Sequence, residues 1–380
     1  MRRSGFFTKK LNSFLMFSAI LCFSYLPSFS NEVEKHGVNH TENADTAAIS
    51  HASSNTDSSH AEHGEEKFNA SELILEHIAD SHDWHLWGHT SIHLPILLYT
   101  DKGIECFSSG KFNHGHDKVA GKHYTYAIEH EHIKIVGENG EVNEEATKSM
   151  IDISITKNVM SMFISMILLL LIFTSVASSY KKREGKAPKG FQSLIEPIII
   201  FVRDDIAKPN LGYKYARFMP FLLTIFFFIW INNMIGLVPF FPGGANLTGN
   251  IAFTVVMGVI TFFVTNLNGN KSYWKHIFLP DVPWWLYPIM IPVEIIGVLS
   301  KPFALIVRLF ANITAGHIIV LSLICLIFIF KTIMIAPVSV GFVLFMDVLE
   351  MLVAFLQAFI FTMLTALFIG TAVAEPHGDH

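Results

Sequence analysis

Arg308 is the side chain whose position most needs a reason. From Phe303 to Phe330 the chain is apolar, and the only other basic or acidic side chain in that run is His317. An arginine near the middle of a membrane helix costs about 2.5–3.5 kcal/mol on insertion scales, so it usually faces a polar interior where function maintains it. On a helical wheel of about 100° per residue, Glu294, Lys301, Arg308 and Ala315 fall within one stripe, with Asn312 beside it. Ala304, Ala311, Ala315 and Gly316 are small neighbours that let another helix come close. An exposed guanidinium among alanines could then meet an acidic group on a facing helix.

His317 lies nine positions beyond Arg308, about 180° around the wheel, and so faces elsewhere. The next apolar run offers it partners: Glu350 and Gln357 are seven apart on one face, and Asp347 precedes Glu350 by three. Buried histidine with glutamate and glutamine is the kind of relay that passes protons through a membrane. The plainer reading is a pair in which His317 and Glu350 only satisfy one another.

The elements that must position these residues are membrane helices. The 380-residue chain is 51% hydrophobic with a mean hydropathy of +0.42, and its apolar residues come in blocks long enough to span a bilayer, which excludes a soluble multidomain protein. A first span is expected over Asn158–Ser179, closed by Lys181-Lys182-Arg183, which mark that end as cytoplasmic. Gly190–Ala207 carries Glu196, Pro197, Arg203, Asp204 and Asp205 and suits a helix lying on the cytoplasmic interface. Phe218–Val238 returns outward, a turn follows over Pro239–Gly249, and Ile251–Leu267 goes inward to a loop with Lys271 and Lys275. The runs Trp284–Phe330 and Ile333–Ala374 are each about 40 residues, roughly 60 Å of helix against a hydrocarbon core of about 30 Å. Each must tilt, bend or leave the bilayer, and Pro302 is expected to kink the first. The fold class is therefore an all-α polytopic membrane protein with five crossings, the last two long and tilted, plus one interfacial helix.

Ahead of the membrane region, residues 1–30 read as a signal peptide: Arg2, Arg3, Lys9 and Lys10, an apolar stretch Phe14–Leu26, then Ser28-Phe29-Ser30. An uncleaved anchor is the alternative. Residues 31–66 read as a disordered, histidine-rich linker, 67–150 as a small mixed α+β extracytoplasmic cap, 151–375 as the membrane domain and 376–380 as a cytoplasmic tail. In the cap, Ile92–Tyr99, Tyr124–Ile128 and Ile133–Val136 read as strands, while Leu73, Ile74, Ile78, Trp84 and Trp87 read as helical or loop anchors. Residues 31–147 hold 21 acidic side chains against 7 lysines, consistent with an exported segment opposite basic cytoplasmic loops. Cys106 and Cys325 fall in different environments and Cys22 in the leader, so no disulfide framework is expected.

With these residues assembled, the chain resembles subunit a of the F-type ATP synthase. The resemblance spans about residues 155–375. It rests on Ser300-Lys301-Pro302, on Arg308-Leu309-Phe310-Ala311-Asn312 running to His317, and on Leu356-Gln357-Ala358-Phe359-Ile360-Phe361; Glu196, Phe201-Val202-Arg203-Asp204 and Asn233–Pro239 add to it. The resemblance implies a non-catalytic stator that guides protons past a rotating ring of c subunits, held by the b subunit and other synthase subunits in the bilayer. It implies that Arg308 favours deprotonation of the passing ring carboxylate and blocks direct leakage between two offset half-channels. Glu350, His317, Asn312 and Gln357 match positions of the channel open to the exported side, and Glu294 one on the cytoplasmic exit. Some bacterial members exchange the residue types found here at His317 and Glu350, which points to a facing pair. Gly236 stands where some members have an acid, so entry here would rely more on Asp347 and on water. Long exported extensions resemble those of Bacteroidota members and imply a Gram-negative inner membrane.

Fifteen of the nineteen histidines lie between residues 36 and 132. His85, His89 and His93, with His82 adjacent, have a spacing that could line a helix and hold zinc or copper, although Pro95 and the strand-like sequence argue against that helix. A proton-buffering surface and an ordered cap packed on neighbouring subunits are the other readings. A metal-ion transporter fed by the histidines is the alternative function, but it should place ligand pairs within several spans. A membrane-anchored binding module leaves Arg308 unexplained. No phosphate loop occurs, so nucleotide chemistry is expected in partners; no cofactor, resident metal or nucleic acid is expected.

Overall fold

The computed structural model describes residues 74, 78–87, 90–112, 117–129, 132–137, 139–182, 187–238, 244–280, 282–330 and 335–374. The segments read as leader, linker and tail lie outside the described residues.

The cap is built from short antiparallel pairings. Strand β1 (Asp83–Trp87) forms a hairpin with β2 (Thr90–His93), and β3 (Pro95–Thr100) lies between β4 (Gly103–Ser108) and a later strand. β5 (Val119–Ala120), β6 (Thr125–Glu129) and β7 (His132–Val136) make the third sheet. Helix α1 (Glu144–Ser149) is capped by the Asn143 side chain, which accepts the Ala146 N–H. β8 (Ile151–Asp152) then returns to pair with β3. Alternation on β3 turns Ile96 and Leu98 into a core with Phe112, Tyr126, Ile133 and Ile135.

Three expectations for the cap are corrected. Trp84 and Trp87 sit on a strand, not on helical or loop anchors. His85 and His93 lie on opposite strands of the β1–β2 hairpin, so no histidine helix exists there; Asp83 is opposite His93 and accepts a 3.0 Å contact from its Nδ1. The single strand expected over Ile92–Tyr99 is two. Pro95 has no N–H to continue a ladder, and Leu94 instead exchanges bonds with Ser109, donating to its Oγ at 2.9 Å and accepting its N–H at 3.0 Å. The chain thus changes partner from β1 to β4 at Leu94.

The membrane region starts with α2 (Lys157–Lys182), whose apolar middle ends in paired lysines. α3 (Phe191–Phe201) continues through a π-helical turn over Val202–Ala207 into α4 (Lys208–Leu211). Gly212, at φ 54°, turns the chain toward α5 (Tyr215–Leu237). The 47 residues from Phe191 to Leu237 would reach about 70 Å, more than a single crossing of about 30 Å uses. α6 (Ile251–Leu267) coincides with the expected span and bends 104° into α7 (Lys271–Phe278). α8 (Tyr287–Phe330) is 44 residues long and continues through Pro292 and Pro302. α9 (Ala336–Val373) has 38 residues and a proline in its first turn, where a missing N–H costs nothing. Among the described residues four helices are long and apolar enough to cross a bilayer, five when α6 and α7 count as one bent crossing.

The membrane core is aromatic. Phe226, Phe227, Trp230 and Phe355 pack edge to face or tilted, with ring centroids 5.4–6.1 Å apart. α9 lies along α5 and α8, so the two long helices and α5 frame whatever lies between them. The end of α9 is held by Lys214 Nζ, which donates to Val373 O at 2.8 Å, and by Asn270, which donates to the same carbonyl at 2.8 Å.

Candidate functional site

Two clefts with polar side chains in their walls open along α8, one on each side of Arg308. The first is lined by Asn312 and His317 from α8, Glu350 and Ala354 from α9, Asn233 and Gly236 from α5, and Asn246 and Thr248 from the loop before α6. The second lies nearer the start of α8 and is lined by Val298, Lys301 and Pro302, Phe368 of α9, Thr261, Thr265 and Asn266 of α6, and Tyr273 of α7. At about 1.5 Å per residue, the rise from Pro302 to Asn312 is about 15 Å. Arg308 stands between them.

Arg308 itself is exposed, as are Ala304, Ala311 and Ala315 around it. Among the described residues no ion pair is formed by its guanidinium. On the same outward surface Phe303 is 66% exposed, Val307 43% and, across on α9, Val348 62%. The charge is therefore set in an apolar surface that the subunit does not cover by itself, while Leu305 and Leu309 turn inward and are 1% exposed.

The first cleft is made by close backbone approach. A Cβ on Gly316 would lie 2.7 Å from Glu350 Oε1, so only glycine lets that carboxyl sit against α8. A Cβ on Gly236 would lie 3.3 Å from Ala245 O and 3.9 Å from His317 Nε2. Asn233 Nδ2 donates to Ala354 O at 3.1 Å, tying α5 to α9 beside Glu350. Asn246 Oδ1 accepts the Gly249 N–H at 2.9 Å, and Thr314 Oγ1 donates to Gly249 O at 3.3 Å, which fixes the loop against α8. Three buried atoms around this cleft, Asn233 Oδ1, Asn246 Nδ2 and Glu350 Oε1, find no hydrogen-bond partner among the described residues. Buried polar atoms of this kind are normally satisfied, and a small polar cavity is where water does so.

The second cleft is mostly apolar, with Phe262, Val298, Pro302 and Phe368 in its wall, and carries a few hydroxyl and amide groups. Tyr273 OH donates to Asn266 Oδ1 at 3.2 Å, and Thr265 Oγ1 is buried without a hydrogen-bond partner among the described residues. Lys301 Nζ stands 5.7 Å from the centre of the Phe368 ring, within cation–π range. Two turns earlier on α8, Glu294 approaches His276 Nδ1 of α7 at 3.9 Å.

The structure thus brings Asn312, His317 and Glu350 to one cavity, and leaves two expected members outside it. Asp347 is exposed one turn before Glu350, and Gln357 is 3% exposed two turns after it; neither lines either cleft. Sequence reasoning missed Asn233, Asn246, Thr248, Thr265, Asn266 and Tyr273 as lining residues. The doublet Asn232-Asn233 in an apolar helix and the i,i+4 pair Thr261 and Thr265 were usable signals. The loop residues Asn246 and Thr248 had none.

Comparison with known proteins places this geometry in a family. The model of the ATP synthase A chain matches residues 159–370, more than half of the chain. A second model, described as a domain of unknown function, matches residues 73–153. ATP synthase subunit a of Chloroherpeton thalassium is 54% identical over 234 residues, which is 60% of this chain and 69% of the relative. ATP synthase subunit a 2 of Chlorobaculum tepidum is 47% identical over 238 residues, 60% of this chain and 66% of the relative. ATP synthase subunit a of Myxococcus xanthus is 41% identical over 252 residues, 64% and 81% of the two chains. With four or five helices among the described residues long and apolar enough to cross a bilayer, its long paired helices and its matched residues, the chain belongs to the ATP synthase A chain family, the a subunits of the F-type ATP synthase.

Proposed function

We propose that this subunit carries protons to and from the carboxylates of a rotating c-ring through two offset half-channels, and that Arg308 separates them. One observation carries the reading: two clefts with polar and titratable side chains in their walls lie on the same helix about 15 Å apart, and the exposed Arg308, without an ion pair among the described residues, stands between them on the uncovered face. The cleft of Asn312, His317 and Glu350 is the half-channel on the cap's side. His317 and Glu350 are both titratable at its wall, so a proton can step between side chains and water there. Gln357 and Asp347 act beside that path, Gln357 by packing α9 and Asp347 by drawing protons toward Glu350. Glu294, with Lys301 and Tyr273, belongs to the half-channel on the other side.

A fixed guanidinium favours the ionised form of any carboxylate that passes it and repels a hopping proton. A proton falling through 100 mV yields about 2.3 kcal/mol, and a shunt between the clefts would release that as heat instead of rotation. The ring and the b subunit are the expected partners, with nucleotide chemistry in other synthase subunits. The segment before α2 lies on the exported side of a bacterial inner membrane and the C-terminus in the cytoplasm, which the lysines closing α2 support. A metal-ion transporter is not favoured: among the described residues no group of three or more His, Cys, Asp or Glu is placed to hold an ion.

ATP-driven acidification of inverted vesicles carrying the assembled complex tests this. Arg308→Ala should abolish pumping, a loss of at least about a hundredfold for removal of a charge acting at a reacting centre, while the complex remains intact. Coupled pumping by that variant at the unsubstituted rate would remove Arg308 from the barrier.

A further inference from the structure

The sheet β4–β3–β8 has one face in the cap's core and one turned away from it. Ile96, Leu98 and Glu105 face inward and are at most 2% exposed. On the other face, cross-strand partners form rows, since antiparallel partners project to the same side. Ile104, Tyr99 and Ile151 make one row. Cys106, Leu97 and Ile153 make the next, with the Ile153 N–H donating to Leu97 O at 2.9 Å. Ser108, Pro95 and Ile155 make the third, with the Ile155 N–H donating to Pro95 O at 3.2 Å. Ile104 is 67% exposed, Tyr99 49%, Ile151 44% and Ile153 40%. No charged side chain interrupts these rows. Asp101 and Lys102, exposed in the β3–β4 turn at the end of the first row, are engaged with Tyr124, and other charges form the pair Lys134–Glu129 on β7 and β6 and the pair Lys148–Glu144 on α1. A contiguous apolar face of this kind marks a surface with something to bind.

The course of the chain says what covers it. Ile153 and Ile155 precede Lys157, the first residue of α2, by four and two residues, which is at most about 13 Å and 7 Å of extended chain. The connection is clamped: Lys157 N–H donates to Ser81 O at 3.0 Å, and Thr156 Oγ1 and Asn158 N–H donate to the two Asp80 oxygens at 2.9 and 3.2 Å. The apolar rows therefore begin at the level where α2 emerges from hydrocarbon, and cannot swing far from it. Uncharged aliphatic side chains with a tyrosine are suited to the boundary between headgroups and acyl chains. We infer that this face docks on the bilayer itself, with zwitterionic phospholipid of the leaflet on the cap's side as its partner. The cap is then a foot that rests on the membrane beside α2.

Spin labelling of the assembled complex in phosphatidylcholine vesicles tests the inference. Cys22 and Cys325 are replaced by serine and a nitroxide is attached to Cys106, which is exposed in the middle row. A control label goes on Lys134→Cys in a Cys106→Ser background. Collision with dissolved oxygen should exceed collision with a water-soluble nickel chelate at Cys106, and the order should reverse at residue 134. Adding Ile104→Asp and Ile153→Asp should lift Cys106 into water while ATP-driven pumping persists. Two results overturn the docking: nickel access at Cys106 equal to the control, which puts the face in water, or shielding from both reagents, which puts a protein there.

Discussion

At the scale of single residues, charge and steric emptiness act together. Arg308 stands on an apolar surface because the helix turns it outward, while His317, about half a turn away, looks into the protein. The complementary requirement is absence of bulk. Gly316 has no Cβ, and the space this leaves is filled by the Glu350 carboxyl. Gly316→Ala would place a methyl 2.7 Å from Glu350 Oε1. That atom ends a flexible side chain, so the expected consequence is displacement of the carboxyl and not unfolding. Assembly should be unchanged and proton flux should fall on the order of tenfold, since a shift of about 1 Å in a working group can cost more than that. Passive proton flow through the isolated membrane sector measures it, and an unaltered flux would show that Glu350 does not work from its place against α8.

At the scale of elements, α9 is positioned by its end as much as by its face. Gly370 lies against the backbone of α4, where a Cβ would come 2.1 Å from Asn210 O. Backbone cannot swing aside as a side chain can. Gly370→Ala should therefore cost about 3 kcal/mol, the upper part of the usual range for overpacking, and lower the temperature at which the complex loses pumping. A variant as heat-stable as the parent would mean that α4 and α9 are free to separate there. Much at this scale was legible: the apolar run Ile251–Leu267 coincides with α6, and the two overlong runs became α8 and α9. The β1–β2 hairpin was not legible, because His85, His89 and His93 have a helical spacing while the residues around them favour strands. Pairing across the hairpin, a non-local contact, decided between them.

At the scale of the whole molecule, cap and membrane region have separate cores joined at the start of α2. Two acids at this junction respond to pH in opposite senses. Burial raises the Asp80 carboxyl above its ordinary 3.8, outweighing the hydrogen bonds from Thr156 and Asn158 and the charges of Lys157 and His82. The folded state then holds that proton more tightly than the unfolded chain. Its contribution is full below pH 3.8 and is lost as pH rises through the folded value. Burial also pushes Asp152 upward, but hydrogen bonds from His82 and Ser154 prevail and leave it lowered. Its contribution is present above pH 3.8 and is lost as pH falls through the folded value. Amide exchange at Asn158, whose N–H bonds Asp80, reads the junction directly. Asp80→Asn should flatten the rise in exchange on the alkaline side and Asp152→Asn the rise on the acid side. An unchanged alkaline limb in Asp80→Asn would assign that limb to another group.

From composition and order alone came the membrane class, the run of spans, the lone Arg308, and the expectation that His317 faces away from it. These are local properties: hydropathy and a fixed rotation per residue act within one helix and need no neighbour. The clefts needed the tertiary structure. The first draws on α5, α8, α9 and a loop, and the second on α6, α7, α8 and α9, so their walls exist only after four elements have packed. That packing selected Asn233, Asn246 and Thr248 as lining residues and set Asp347 and Gln357 outside. It also left the face carrying Arg308 bare, because of the described α8 residues the subunit's own helices fully bury only Leu305, Leu309 and Cys325.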